Sequence, residues 1–147
     1  MEFKIRKFEI QDKKEILSMM EEFYNSNAVS TNGSKEIFET DFEKCLIDFP
    51  YLDGYVFCKD NIILGYSMIA KSFSTEFGKL CLWAEDLYVK KEYRGNGIIP
   101  KFIDYIKSIY PDSLIKLEVE LENSHAVHVY KKCGFDELPY KEMSLMN

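Results

Sequence analysis

Three strand-forming runs stand almost end to end between Tyr55 and Val89, and this stretch limits the architecture of the chain more than any other. Tyr55-Val56-Phe57-Cys58 leads through the tight-turn sequence Lys59-Asp60-Asn61 into a long run from Ile62 to Phe73. A second turn over Thr75 to Lys79 leads into a run from Leu80 to Val89. Connections this short join antiparallel strands, because a parallel connection needs a dozen or more residues. On either side the apolar period is helical. Phe3, Ile5 and Phe8 predict a first strand, after which Asp12 and Glu15 form a capping-box pattern before a helix with Ile16, Leu17, Met20, Phe23 and Tyr24 on one face. Asn25 to Ser34 reads as a loop. Ile37, Phe38, Phe42, Cys45, Leu46 and Phe49 then mark a second helix that stops before Pro50.

Downstream, Lys90 to Gly97 is a loop, and Pro100 fits the first turn of a helix that buries Phe102, Ile103, Ile106 and Ile109. Leu114, Leu117 and Val119 predict a strand. Asn123 or Ser124 can cap a last helix that closes at Gly134. Phe135 and Tyr140 to Leu145 predict terminal strands. A helix between two strands next to a meander implies a mixed sheet with helices on both faces, an α+β fold.

The chain has 147 residues, which suits one domain spanning residues 1–147. Its formal net charge of -6 argues against a nucleic-acid partner, which needs a basic surface. Cys45, Cys58, Cys81 and Cys133 are far apart and sit in or beside apolar runs, as free thiols of a cytoplasmic protein do. The first residues contain no apolar signal core. No stretch approaches the roughly 18 apolar residues of a membrane span, so no membrane partner is expected. Asn32-Gly33-Ser34 fits a glycosylation acceptor, which is idle without secretion.

The chemistry is carried by the passage from Leu80-Cys81-Leu82-Trp83-Ala84-Glu85-Asp86-Leu87-Tyr88-Val89 into Lys90-Lys91-Glu92-Tyr93-Arg94-Gly95-Asn96-Gly97-Ile98-Ile99-Pro100. A strand runs through a basic, glycine-containing loop into a helix. Gly95 and Gly97 free the loop amides from side-chain crowding, and the helix start adds unpaired N–H groups and partial positive charge. This is a recipe for holding a pyrophosphate. A Walker loop is absent. A dinucleotide fingerprint lacks its third glycine, where Pro100 stands, although Glu118 lies at about the spacing that reading requires.

Arg94-Gly95-Asn96-Gly97-Ile98 resembles the pyrophosphate loop Arg/Gln-x-x-Gly-x-Gly/Ala of the GNAT acetyltransferases. Asn123-Ser124-His125-Ala126-Val127-His128-Val129-Tyr130-Lys131-Lys132-Cys133-Gly134-Phe135 resembles their second signature, Asn-x-x-Ala-x-x-x-Tyr-x-x-x-Gly-Phe, at every quoted position. Glu85 to Val89 is similar to the preceding strand of the polyamine and diamine acetyltransferase branch. The loop departs from the pattern at Ile99, where the family has Gly or Ala, and Pro100 withholds one amide.

The resemblance implies one GNAT-like domain. Its mostly antiparallel, twisted sheet would have about six or seven strands and about four flanking helices, with strands splaying to form the CoA cleft. It further implies acetyl-CoA as co-substrate without a metal, a small-molecule or peptide amine as acceptor, and compatibility with a homodimer. The pyrophosphate would lie on Arg94, Gly95, Asn96, Gly97, Ile98 and Ile99. Leu87, Tyr88, Val89 and Asn123 would meet the rest of the CoA arm, with backbone N–H groups of Leu87 or Val89 facing the oxyanion of the tetrahedral intermediate.

An alkyl amine has a pKa of about 10.4, so a base must take its proton. Glu85 and Asp86 are the available carboxylates, and alternation lets only one of them line a given side of the strand. The resemblance favours Glu85, acting directly or through a water. The thiolate leaving group needs a proton, and Tyr130 occupies the family's general-acid position. Periodicity alone favours a Tyr130 on the apolar helix face with its hydroxyl reaching solvent, and Asn123 fits an N-cap. His125 and His128 lack a third partner in sequence for zinc. Glu21, Glu22, Phe23 and Tyr24 offer acidic and aromatic groups for a cationic acceptor, and Leu138-Pro139-Tyr140 a further wall. Two other function classes compete with this reading: a non-catalytic acyl-CoA-binding or regulatory module on this fold, and a nucleotide-binding oxidoreductase, whose fingerprint lacks its third glycine.

Overall fold

The strand-forming runs pair with their sequence neighbours, as their short turns dictate. In the computed structural model, which describes residues 1–29 and 33–147, the strands are β1 (Lys4–Lys7), β2 (Leu52–Lys59), β3 (Ile62–Ser74), β4 (Lys79–Val89) and β5 (Leu114–Leu117). They form one sheet in the order β1-β2-β3-β4-β5. Every neighbouring pair is antiparallel except β4 and β5, which run parallel. That parallel pair is reached through the helix α3 (Ile98–Ile109). Asn32 of the glycosylation triplet lies outside the described residues.

Alternation along β2 divides the core into two layers. Tyr55 and Phe57 point to one face, where α3 supplies Ile98, Phe102, Ile103 and Ile106. Val56 points to the other, where α1 (Lys13–Tyr24) and α2 (Lys35–Leu46) bring Ile16, Met19, Met20, Phe38 and Phe42. Phe42 and Phe102 are fully buried, and each such ring contributes about 2–3 kcal/mol of transfer free energy. Among the described residues no helix is long and apolar enough to cross a membrane. The four cysteines are free thiols.

Two local expectations give way to tertiary contacts. Asp12 does not cap α1 with its side chain. Its carboxylate turns back to accept Arg6 Nη1 and Nη2 at 2.8 and 3.0 Å and the Glu9 N–H at 2.8 Å. A bidentate guanidinium outweighs one neutral N–H donor. The second correction concerns the sheet, which has five strands among the described residues where about six or seven were expected. Residues 133–147 form neither helix nor strand. Pro139 offers no N–H for a ladder, while Met143, Leu145 and Met146 are more than nine-tenths exposed and find no layer to cover. The neighbouring edge, β5, is only four residues long.

The pairing of β4 sets up the site. Its parallel ladder with β5 ends at Ala84↔Leu117. On the β3 side, Met68 pairs with Asp86 and Ile69 with Ala84, so Glu85 is an extra, unpaired residue in a β-bulge. From Glu85 to Val89 the strand continues beyond β5 and leaves that edge open.

Candidate active site

The open edge has a defined polarity. Lys90 N–H bonds back to the Leu64 carbonyl on β3 at 2.8 Å. By antiparallel alternation, the N–H groups of Val89 and Leu87 therefore point the other way, towards the space that β5 does not fill. The Val89 carbonyl lies on that side too, where Arg94 Nε donates to it at 2.8 Å.

The loop that follows needs left-handed backbone. Gly95 and Gly97 have φ of 79° and 72°, a region costly to residues with a Cβ. Gly97 is the residue before α3, and no side chain caps that helix start. Among the described residues no acceptor is seen for its first amides, less the one that Pro100 lacks, as at any uncapped helix start. Asn96 turns away from this space. Its Nδ2 donates to the Tyr93 and Arg94 carbonyls at 2.9 and 3.4 Å and so holds the loop closed on itself. Ile99 packs its side chain against the α3 core layer.

Opposite the loop stands α4 (Ser124–Lys132). Asn123 is its N-cap, with Oδ1 accepting the Ala126 N–H at 3.3 Å. At the other end Gly134 has φ of 99°. Its N–H bonds to the Lys131 carbonyl at 3.0 Å, and the Phe135 N–H bonds to the Tyr130 carbonyl at 3.1 Å. These two bonds make a Schellman cap with Tyr130 three residues inside the helix end. The chain then folds back, and the Phe135 ring meets the Tyr130 ring edge-on at 6.0 Å. The spacing Tyr-x-x-x-Gly-Phe is thus a helix stop that packs its aromatic pair together. Burial pushes the Tyr130 phenol up to about 12, so it keeps its proton at neutral pH.

Between these elements lies a cavity of about 810 Å³. Glu85, Leu87, Tyr88 and Val89 line it from β4, and Arg94, Gly95, Gly97, Ile98 and Ile99 from the loop and helix start. Asn123 and Tyr130 line it from α4. Of the residues expected to be catalytic or to hold CoA, Asn96 and Asp86 lie outside its lining, and of the expected acceptor groups Glu21, Glu22 and Tyr24 lie outside it too. Asp86 is buried on the opposite side of β4. Burial, offset by hydrogen bonds from Tyr66 and Tyr24 and reinforced by Asp41 and Glu85, brings its carboxyl up to about 6. Glu85 is pushed upward by burial and by the carboxylates of Glu142 and Asp41.

Sequence reasoning missed part of the wall. Ser26, Asn27 and Ala28, just past α1, and Glu118 and Val119, just past β5, line the cavity. The only local signal was their position directly after an element end. His125 and His128 also line it, and among the described residues no three His, Cys, Asp or Glu side chains group as metal ligands. Leu138-Pro139-Tyr140 is not part of the lining, and the Tyr140 hydroxyl donates to Glu76 Oε2 at 2.7 Å.

A family model for the Acetyltransferase (GNAT) family matches residues 16–135. The chain belongs to this family. Among GNAT relatives, thialysine N-epsilon-acetyltransferase of Bos taurus is 34% identical over 107 residues, covering 71% of this chain and 62% of the relative. The same-named protein of Sus scrofa is 36% identical over 83 residues, covering 54% and 48%. The chain therefore spans about half to three-fifths of the length of these curated relatives. A solved structure of an acetyltransferase-like protein from Clostridium difficile 630 superposes with a TM-score of 0.81 at 21% identity, covering 99% of this chain and 97% of that one. AAC(6')-Iy, solved with the bisubstrate analogue CoA-S-monomethyl-acetylneamine, superposes at 0.79 with 13% identity, covering 100% and 99%. At such identities these two likenesses establish the GNAT fold.

Proposed function

We propose that this protein is an N-acetyltransferase that moves an acetyl group from acetyl-CoA to a primary amine of a small molecule or peptide by direct attack. One observation carries the reading. The cavity joins an open strand edge, a left-handed glycine loop at a helix start, a carboxylate and a phenol, which together are the parts that acyl transfer to nitrogen requires. The residues fit CoA: the amides from Gly95 to Ile99 and the Arg94 charge suit its diphosphate. The outward N–H groups of Leu87 and Val89 suit the amide-bearing arm as an added strand would. When bound, the co-substrate supplies an acyl carbon activated as a thioester.

The chain's own groups do the rest. Glu85 takes the proton of the acceptor ammonium, directly or through a water, and its raised pKa brings it nearer to the task than an ordinary carboxylate. An N–H of the open edge donates to the oxygen that becomes negative. Tyr130 delivers a proton to the departing sulfur and is held for this by Phe135. Asn123 both caps α4 and borders the arm. The acceptor side is walled by Phe23 and Ser26 to Ala28. The carboxylates of Glu85 and Glu118 favour a cationic acceptor, in keeping with relatives named for thialysine.

The test is to incubate the full chain with acetyl-CoA and a panel containing thialysine, lysine, diamines, polyamines, aminoglycosides and peptides. Thiol release and product mass are followed. Acetylated product with at least one amine is expected. Acetyl-CoA binding in calorimetry without turnover on any amine would instead favour a non-catalytic module, and no binding at all would end the reading.

A further inference from the structure

Asp86 is a buried carboxylate that the chemistry above leaves unused. It is 1% exposed, and a carboxylate at that depth persists only where it is hydrogen-bonded. Its three partners come from two elements. Tyr66 Oη on β3 donates to Oδ2 at 2.6 Å, and Tyr24 Oη, on the last residue of α1, donates to Oδ1 at 2.9 Å. Ser67 Oγ, itself fully buried, donates to the Asp86 backbone carbonyl at 2.7 Å.

The bulge explains why Asp86 faces this way. Leu82 and Ala84 belong to the α3 layer. Unbroken alternation would send Asp86 there as well, among Phe102 and Ile106, where the core is apolar. The extra residue at Glu85 reverses the parity. Asp86 then meets Tyr24 and Tyr66 in the α1–α2 layer, while Leu87 and Val89 return to the α3 side. A one-residue slip that removed the bulge would turn the carboxylate to the α3 layer, away from the Tyr24 and Tyr66 hydroxyls that hold it. The buried charge therefore selects the bulged register against the regular one.

We propose that Asp86 is a positioning residue for the transfer. Through Tyr66 and Ser67 it pins the bulge that presents Glu85 and the outward N–H of Leu87, and through Tyr24 it ties the end of α1, hence the acceptor wall at Phe23 and Ser26 to Ala28, to that same strand. This rests on the acetyltransferase reading, so the experiment has one arm that needs no activity.

In that arm, amide hydrogen exchange of the full chain is compared for wild type, Tyr66→Phe and Asp86→Asn. Exchange from Glu85 to Val89 should quicken by about tenfold or more while Cys81 to Ala84 keep their protection. In the kinetic arm, Tyr24→Phe and Tyr66→Phe should each lower kcat/KM for the amine by about tenfold, with acetyl-CoA affinity unchanged within about twofold. The Tyr24→Phe/Asp86→Asn double variant should be no worse than Asp86→Asn alone. Even quickening along the whole of β4, or amine kinetics unaltered in both Phe variants, would overturn the proposal. If wild type acetylates no amine, the activity reading falls, and the exchange pattern still decides whether Asp86 holds the bulge.

Discussion

Replacing Asp53 by Asn tests how far one buried charge holds the end of the sheet remote from the cavity. The Asp53 carboxylate on β2 receives Lys71 Nζ and Lys7 Nζ, each at 3.0 Å, Tyr110 Oη at 2.6 Å and Tyr55 Oη at 3.2 Å. It thereby links β1, β2, β3 and the chain after α3. Burial alone would push this carboxyl up, but the hydrogen bonds from Tyr110, Lys7 and Lys71 outweigh it and hold the group at about 2 against an ordinary 3.8. At 1.36 kcal/mol per pH unit that difference corresponds to roughly 2–3 kcal/mol. The Lys7 side chain is 55% exposed and screened by water, whereas Lys71 is 19% exposed. An observed loss of about 2 kcal/mol at pH 7 is therefore expected.

The sign follows from the depressed value. The stabilisation is fully present above the unfolded pKa and is lost as pH falls through the folded one, so about half of it remains at pH 3. The assay is urea unfolding of wild type and Asp53→Asn followed by the fluorescence of Trp83, at pH 7 and at pH 3, with the slope against urea unchanged. A gap below about 0.5 kcal/mol at pH 7, or one as large at pH 3 as at pH 7, would refute the reasoning.

Three further outcomes concern the site. Glu85→Gln should lower kcat by about a hundredfold and abolish the acid limb of the rate profile. In wild type that limb should lie above the ordinary carboxylate range, because burial, Glu142 and Asp41 raise Glu85 and the base is lost as pH falls through its pKa. Tyr130→Phe should lower kcat by about a hundredfold with acetyl-CoA affinity held within about twofold by calorimetry, and an unchanged kcat would remove Tyr130 from the proton path. Gly97→Asp should lose measurable acetyl-CoA binding, since it places a carboxylate against the diphosphate at a backbone φ of 72° that suits glycine, and retained affinity would move the diphosphate elsewhere.

The sequence by itself determined what depends on near neighbours in the chain. The change of apolar period at Tyr55 separates helices from meander. The capping role of Asn123 and the helix stop at Gly134-Phe135 are each decided within a few residues by hydrogen bonds that only those residue types make. The tertiary structure decided whatever depends on which distant groups compete for the same atom or edge. Asp12 looked like a cap and became the partner of Arg6. Glu85 and Asp86 are adjacent carboxylates in a strand, and only pairing with β3 makes one of them a bulge at the cavity and the other a buried acceptor for two phenols. The residues after Phe135 carry strand-forming types but meet no sheet edge long enough to pair with, because a strand, unlike a helix, draws its hydrogen bonds from a neighbour that its own sequence does not supply.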